Sequence, residues 1–202
     1  MARRFQPGTR LVIATHNPGK LREIAGLLQP HSVDAVSAGD LGLPVPVEDA
    51  PDFAGNAKLK ALAATRAAGL PALADDSGFS AAALGGAPGV VSARWAGPGK
   101  DFAGAMARVQ REMGGSTDRR CWFTCAICLA WPDGETATYM GRVEGRVAWP
   151  PRGALGFGYD PIFEPLGHAQ TYGEMDPAAK HATSHRARAM AQVFQACFGE
   201  AA

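Results

Sequence analysis

The chain has 202 residues, 47% of them hydrophobic and 19% charged, which suits one globular domain or two joined lobes and excludes a disordered chain. Twenty Lys+Arg against nineteen Asp+Glu leave a net charge of +1, so no global field exists to hold nucleic acid or an anionic membrane. Any anion site must therefore be local.

Met1 to Arg10 carries Arg3 and Arg4, but the apolar run behind it, Leu11 to Ala14, is too short for a signal-peptide core. A soluble, cytoplasmic protein is expected. Leu11 to Ala14 reads as a strand that stops at Thr15-His16-Asn17-Pro18-Gly19-Lys20, after which Leu21, Ile24, Leu27 and Leu28 recur at helical spacing. A second strand is expected near Ser32 to Val36, followed by Gly/Pro punctuation from Ala38 to Pro46. Asp52 then opens an Ala-rich helix that runs to about Ala68.

Pro71 to Ala74 reads as a buried strand that ends in Asp75-Asp76-Ser77-Gly78 and delivers polar groups at its carboxyl end. Gly85 to Gly89 marks a loop, and Phe102, Met106 and Val109 place a helix over Lys100 to Glu112. Cys121 to Trp131 and Glu135 to Val147 read as two antiparallel strands around Pro132-Asp133-Gly134. Gly153 to Pro161 is a glycine-interrupted loop, and Pro177 to about Phe198 is one last helix. The longest apolar stretch, Cys121 to Trp131, is well under the ~18 residues of a membrane-spanning helix.

Five lysines stand against fifteen arginines, so the positions that use Lys are informative. Lys20 follows a strand-loop-helix turn in which Pro18 and Gly19 begin the helix, leaving backbone N–H groups beside an ammonium. That suits a phosphate, although a plain helix cap has the same look, and the Walker A spacing is absent. Asn56 and Lys60 lie four apart on one helix face among alanines; by themselves they read as a solvated face, or as a track for a polyphosphate. Glu48, just upstream, is equally open.

Asp75 and Asp76 are sharper, because adjacent carboxylates at a buried strand end repel unless a cation or a proton reconciles them. Hard oxygen donors favour Mg²⁺, for which Glu48 and Asp76 would suffice as protein ligands; alternatively one Asp caps the following turn. Gly156-Phe157-Gly158-Tyr159-Asp160 could let a flat ring approach the backbone, or simply be a core aromatic in a tight turn. Lys180, Ser184, His185 and Arg186 form a crowded polar group whose donors suit carbonyl oxygens. Cys121, Cys125 and Cys128 do not read as a zinc site, because on a strand Cys128 points away from the other two.

Taken together, Thr15 to Lys20, Phe53 to Ala61, Ala74 to Gly78, Gly85 to Arg94, Gly156 to Phe163, and Lys180 to Arg186 resemble the inosine-triphosphate pyrophosphatases, also called XTP/dITP diphosphatases. The blocks stand in family order from residue 11 to about 190. The resemblance implies an α/β, ITPase-like fold: a long mixed β-sheet with helices on both sides and two lobes flanking an active cleft. The whole of 1–202 would be a single domain with no separable linker. It also implies a homodimer and Mg²⁺-dependent hydrolysis of ITP, dITP and XTP to the monophosphate and pyrophosphate, with no nucleic-acid or membrane partner.

By the same resemblance Thr15, His16, Asn17, Pro18, Gly19 and Lys20 form the phosphate loop, and Asn56 and Lys60 reach the triphosphate. Glu48 and Asp76 serve the metal, Asp76 is the general base, and Ser77 touches substrate. Phe157, Gly158, Tyr159, Asp160, Lys180, His185 and Arg186 inspect the base. A related pyrophosphatase of other base preference, a non-catalytic nucleotide sensor and a nucleic-acid-binding module are the rival readings. His16, Gly55 and Ala187 depart from the family pattern, which has a small residue, an acidic residue and Gly there.

Overall fold

The computed structural model describes residues 3–6 and 8–198; the remaining positions, including Met1 and Ala2 of the N-terminal reading, lie outside the described residues. One mixed sheet has the strand order β2-β1-β3-β4-β5-β6. Its strands are β1 (Arg10–Ile13), β2 (Asp34–Ser37), β3 (Ala72–Ala81), β4 (Arg120–Ala130), β5 (Thr136–Val147) and β6 (Phe163–Pro165). β1 pairs in parallel with β2, Leu11 opposite Ala35, and with β3, Val12 opposite Ala72, whereas β5 and β6 are antiparallel, Arg146 opposite Glu164. The helices are α1 (Pro18–Leu28), α2 (Phe53–Ala68), α3 (Ser92–Trp95), α4 (Phe102–Met113), α5 (Pro177–Thr183) and α6 (His185–Val193). None of them is long and apolar enough to cross a membrane.

The chain divides into two compact units. The first holds the described residues up to Asp76, Cys125–Gly141, and those from Arg186 on; the second holds Ser77–Thr124 and Arg142–His185. β3, β4 and β5 pass covalently from one unit to the other.

In the first unit the alternation of β1 sorts the core into two layers. Leu11 and Ile13 face Ile24 and Leu28 of α1 and Met190 and Val193 of α6. Val12 and Ala14 face Ala57, Ala61 and Ala64 of α2. Cys125 belongs to the first layer and Cys128 to the second, so β4 carries them on opposite faces. In the second unit Met106, Val109 and Met113 of α4 pack with Phe79, Phe123, Phe163 and Tyr172.

Several boundaries differ from the sequence reading. β3 does not stop at Ala74 but continues through both aspartates to Ala81. Two buried carboxylates fit mid-strand because basic side chains from α1, α2 and α6 reach them, a compensation that no local pattern in β3 reports. β2 begins at Asp34, two residues later than expected, behind the left-handed Ser32 (φ 53°). The short β6 and α3 were not expected.

The last helix is not continuous either. It breaks at Ser184, which is extended (φ −69°, ψ 154°), and α6 restarts at His185. The Thr183 hydroxyl, 3.3 Å from the carbonyls of Ala179 and Lys180, competes for the last acceptors of α5. A wider π-turn over Phe194–Phe198 follows α6.

Candidate active site

The first turn of α1 is set by Asn17, whose side-chain oxygen accepts from the backbone N–H groups of Gly19 (2.9 Å) and Lys20 (3.2 Å). Asn17 in turn donates its own N–H to the Thr15 hydroxyl (3.2 Å). The N–H groups that the sequence offered to an anion are thus occupied by the cap, and Pro18 has none to offer. His16 is exposed and its ring donates to the Leu43 carbonyl (3.0 Å), so it ties two loops together.

From the start of this helix the Lys20 ammonium reaches Asp75 at 3.1 Å. The same Asp75 oxygen accepts from the Arg186 guanidinium (2.9 Å), whose other arm holds Glu23 of α1. Arg186 and Asp75 are each 1% exposed. Burial alone would push the Asp75 carboxyl up, but Lys20, Arg186 and Lys60 outweigh it and hold Asp75 well below the usual carboxylate range.

Asp76, on the opposite face of β3, meets α2. Lys60 lies 3.2 Å from one of its oxygens and 2.8 Å from Glu48, while Asn56 donates to its other oxygen at 3.1 Å. Asn56 and Lys60 are buried, so the solvated-face reading of this pair is wrong: their helix face is pressed on the sheet through alanines. Burial raises Asp76, Lys60 and Lys20 pull it down, Glu48 pushes it up and the Asn56 amide pulls it down; the balance lies above the ordinary value. Lys60 behaves in reverse, since burial lowers it but Asp76, Asp75 and Glu48 prevail and keep it an ammonium.

Neighbouring carboxyls are thereby driven apart, Asp75 downward and Asp76 upward from the ordinary value. No turn follows either aspartate for it to cap, because β3 continues to Ala81. Glu48, whose side chain is 38% exposed, is the accessible member of the cluster, and Ser77 follows Asp76 in β3, half-buried.

In the second unit Gly156 to Asp160 forms a tight turn. Asp160, 2% exposed, accepts from the Phe157 N–H (2.8 Å) and from the Lys180 ammonium (2.7 Å). Gly156 is required there: its φ is +75° and a Cβ would stand 2.1 Å from the Asp160 carboxylate. Lys180 also lies over the Phe157 ring, 4.6 Å from its centroid. Gly158 supplies a second positive φ, +67°. Tyr159 stacks on Phe79 (5.1 Å) and donates to the Ser92 carbonyl (2.9 Å), which makes it a core aromatic. His185 stacks on Phe123 (4.8 Å, 12°).

Sequence reasoning singled out most of these groups but missed two partnerships. Glu23 stands three residues after Lys20 and just before Ile24, an acid inside the buried arc of α1, and that position was its only signal. Arg186, expected among the base-contacting residues beside His185, is bound to Glu23 and Asp75 in this structure, and the unit boundary falls between His185 and Arg186.

The fold and the cluster define an α/β protein with a buried set of carboxylates and lysines able to hold a cation and meet a polyanion. The chain belongs to the Ham1 family, whose model matches residues 11–196. It is 54% identical over 197 residues to a dITP/XTP pyrophosphatase of Gluconobacter oxydans, covering 98% of this chain and 95% of that one. With the dITP/XTP pyrophosphatase of Caulobacter vibrioides the identity is 58% over 193 residues, covering 95% and 99%. Among solved structures, a HAM1 protein from Coxiella burnetii superposes with a TM-score of 0.85 at 38% identity, covering 93% of this chain and 97% of that one.

Proposed function

We propose that this protein hydrolyses the non-standard purine nucleoside triphosphates ITP, dITP and XTP to the nucleoside monophosphate and pyrophosphate, with Mg²⁺ as its cofactor. One observation carries the reading: Glu48 and Asp76 aim their carboxylates at a single cationic position, occupied by the Lys60 ammonium. Two hard oxygen donors converging on one point fit Mg²⁺, which completes its shell with waters and substrate phosphates. The charge count agrees, since Glu23, Glu48, Asp75 and Asp76 formally exceed Lys20, Lys60 and Arg186 by one. Such a cluster attracts a triphosphate only after a divalent ion has reversed its sign.

Glu48 and Asp76 would hold the Mg²⁺, which would neutralise charge on the phosphates and acidify a water. The chain's own groups do the rest. Asp76 takes a proton from the attacking water. The water oxygen bonds to the α-phosphorus, the bond from that phosphorus to its bridging oxygen breaks, and pyrophosphate departs with the electron pair. Lys20 and Lys60 balance the charge gathering on pyrophosphate, and Asp75 and Arg186 keep Lys20 in place.

In this reading Lys180, over the Phe157 ring, and His185, on the Phe123 ring, supply the donors that suit the 6-oxo group of hypoxanthine or xanthine. Adenine carries an amino group at that position, which would leave buried donors unmatched and cost it dearly. Thr15, Ser77 and Gly158 complete the substrate contacts, and a homodimer working in the cytoplasm belongs to the same proposal.

The test is incubation of the purified protein with ITP, XTP, GTP and ATP plus Mg²⁺, separating pyrophosphate from orthophosphate. Pyrophosphate from ITP and XTP, with little turnover of ATP, is expected; orthophosphate as the sole product would refute the assignment. Asp76→Asn should still bind nucleotide and lose turnover, and full activity in that variant would remove Asp76 from the reaction.

A further inference from the structure

Asn56 is fully buried, and both ends of its amide are committed. Its oxygen accepts from the Ala50 backbone N–H at 3.0 Å, and its nitrogen donates to Asp76 at 3.1 Å. The orientation of the amide is fixed by its partners, because a backbone N–H demands the oxygen and a carboxylate demands the NH₂. Ala50 lies two residues after Glu48, in the loop that leads to the N-cap of α2. One side chain therefore spans from the strand that carries Asp76 to the loop that carries Glu48.

A second observation on the same loop points the same way. Gly55 lies in the first turn of α2, packed on that loop, and a Cβ added there would lie 2.7 Å from the Ala50 Cβ and 3.2 Å from the Asp52 carboxylate. Asp52 accepts from the Gly55 N–H at 2.7 Å, so the loop is folded directly onto the first turn of α2. The bare glycine lets Ala50 come close enough for its N–H to reach Asn56.

We propose that Asn56 is a positioning residue and not a ligand of the phosphates: its amide ties the Glu48 loop to the Asp76 carboxylate, so that the two carboxylates form one preformed pair for a divalent ion. This rests on the reading that Glu48 and Asp76 take such an ion. Holding the pair in place before the ion arrives removes the ordering of an exposed loop from the cost of binding. Gly55 serves the same end by admitting the loop.

The experiment uses the full chain and three readouts: exchange of the Ala50 amide hydrogen, affinity for Mn²⁺ alone from the electron-spin resonance of the free ion, and pyrophosphate release from ITP. Asn56→Leu, of similar shape but without the amide, should accelerate exchange at Ala50 and weaken Mn²⁺ binding by about tenfold to a hundredfold. Gly55→Ala leaves every polar group in place and should weaken Mn²⁺ binding in the same direction by pushing the loop away; it guards against an Asn56 variant that does not fold. Unchanged Mn²⁺ affinity in a folded variant, or a wild type that binds no Mn²⁺, would overturn the proposal. If the wild type protects Ala50 and binds Mn²⁺ but releases no pyrophosphate from ITP, the enzymatic reading falls and the coupling stands. Pyrophosphate release with Mn²⁺ affinity indifferent to both substitutions has the opposite meaning.

Discussion

Asp75 and Asp76 share a strand, a sequence neighbourhood and a side-chain type, yet their partners give them opposite tasks. Asp75 lies between Lys20 and Arg186, and losing it would take a shared anion from two cations, one of them fully buried. Asp75→Asn should therefore lower stability by about 3–5 kcal/mol, read as a fall in the denaturant midpoint at neutral pH. The sign of the pH effect follows. A carboxyl whose folded pKa is depressed contributes stability above its unfolded pKa, about 3.9, and loses it as pH falls through the folded value. The variant should accordingly show a smaller loss of stability than wild type as pH is lowered from about 4, and an unchanged acid dependence would show that Asp75 does not carry this charge. Asp76 works in reverse: its raised folded pKa makes it a cost to folding as pH rises through that value, the expected mark of a group kept for chemistry. Glu23 illustrates a residue whose meaning is invisible locally, since only its meeting with Arg186, distant in sequence, explains a buried acid on α1.

At the scale of elements, α2 owes its use to small side chains. Ala57 and Ala61 lie fully buried against Val12, Ala72 and Ala126, so the helix comes close to the sheet and its Asn56 and Lys60 reach Asp76. Ala61→Leu should overpack that layer, costing about 1–3 kcal/mol and reducing kcat more than the stability loss explains, because α2 must back away from β3. A thermal melt paired with initial rates at saturating ITP checks this; wild-type rates in a folded Ala61→Leu protein would contradict it. The α2 start was legible because Asp52 is a cap by chemistry, and the α1 start because Pro18 and Gly19 follow Asn17. The break at Ser184 was not, since Pro177 to Phe198 contains no interior Pro or Gly to announce it. Nor was the length of β3, whose aspartates resemble a strand end until their cations are known.

For the whole molecule, a net charge of +1 conceals a cluster with a formal excess of negative charge, which in the proposed reading makes a divalent ion necessary before a triphosphate binds. Removal of divalent ions by EDTA should abolish pyrophosphate release from ITP, and Mg²⁺, but not an equal ionic strength of Na⁺, should restore it. Activity persisting in EDTA would mean that Lys20 and Lys60 suffice without a metal. The amino-acid sequence alone determined most strands, the starts of α1 and α2 and the roster of chemical groups, because periodicity, caps and glycines act over a few residues, while the α/β class followed from the family resemblance. Only the tertiary structure decided which group answers which: that Arg186 joins Glu23 and Asp75, that Lys60 stands between Glu48 and Asp76, and that Asn56 faces both Ala50 and Asp76. The physical reason is that the strength of a charge or hydrogen bond depends on burial and on partners far along the chain, and neither exists until the layers have packed.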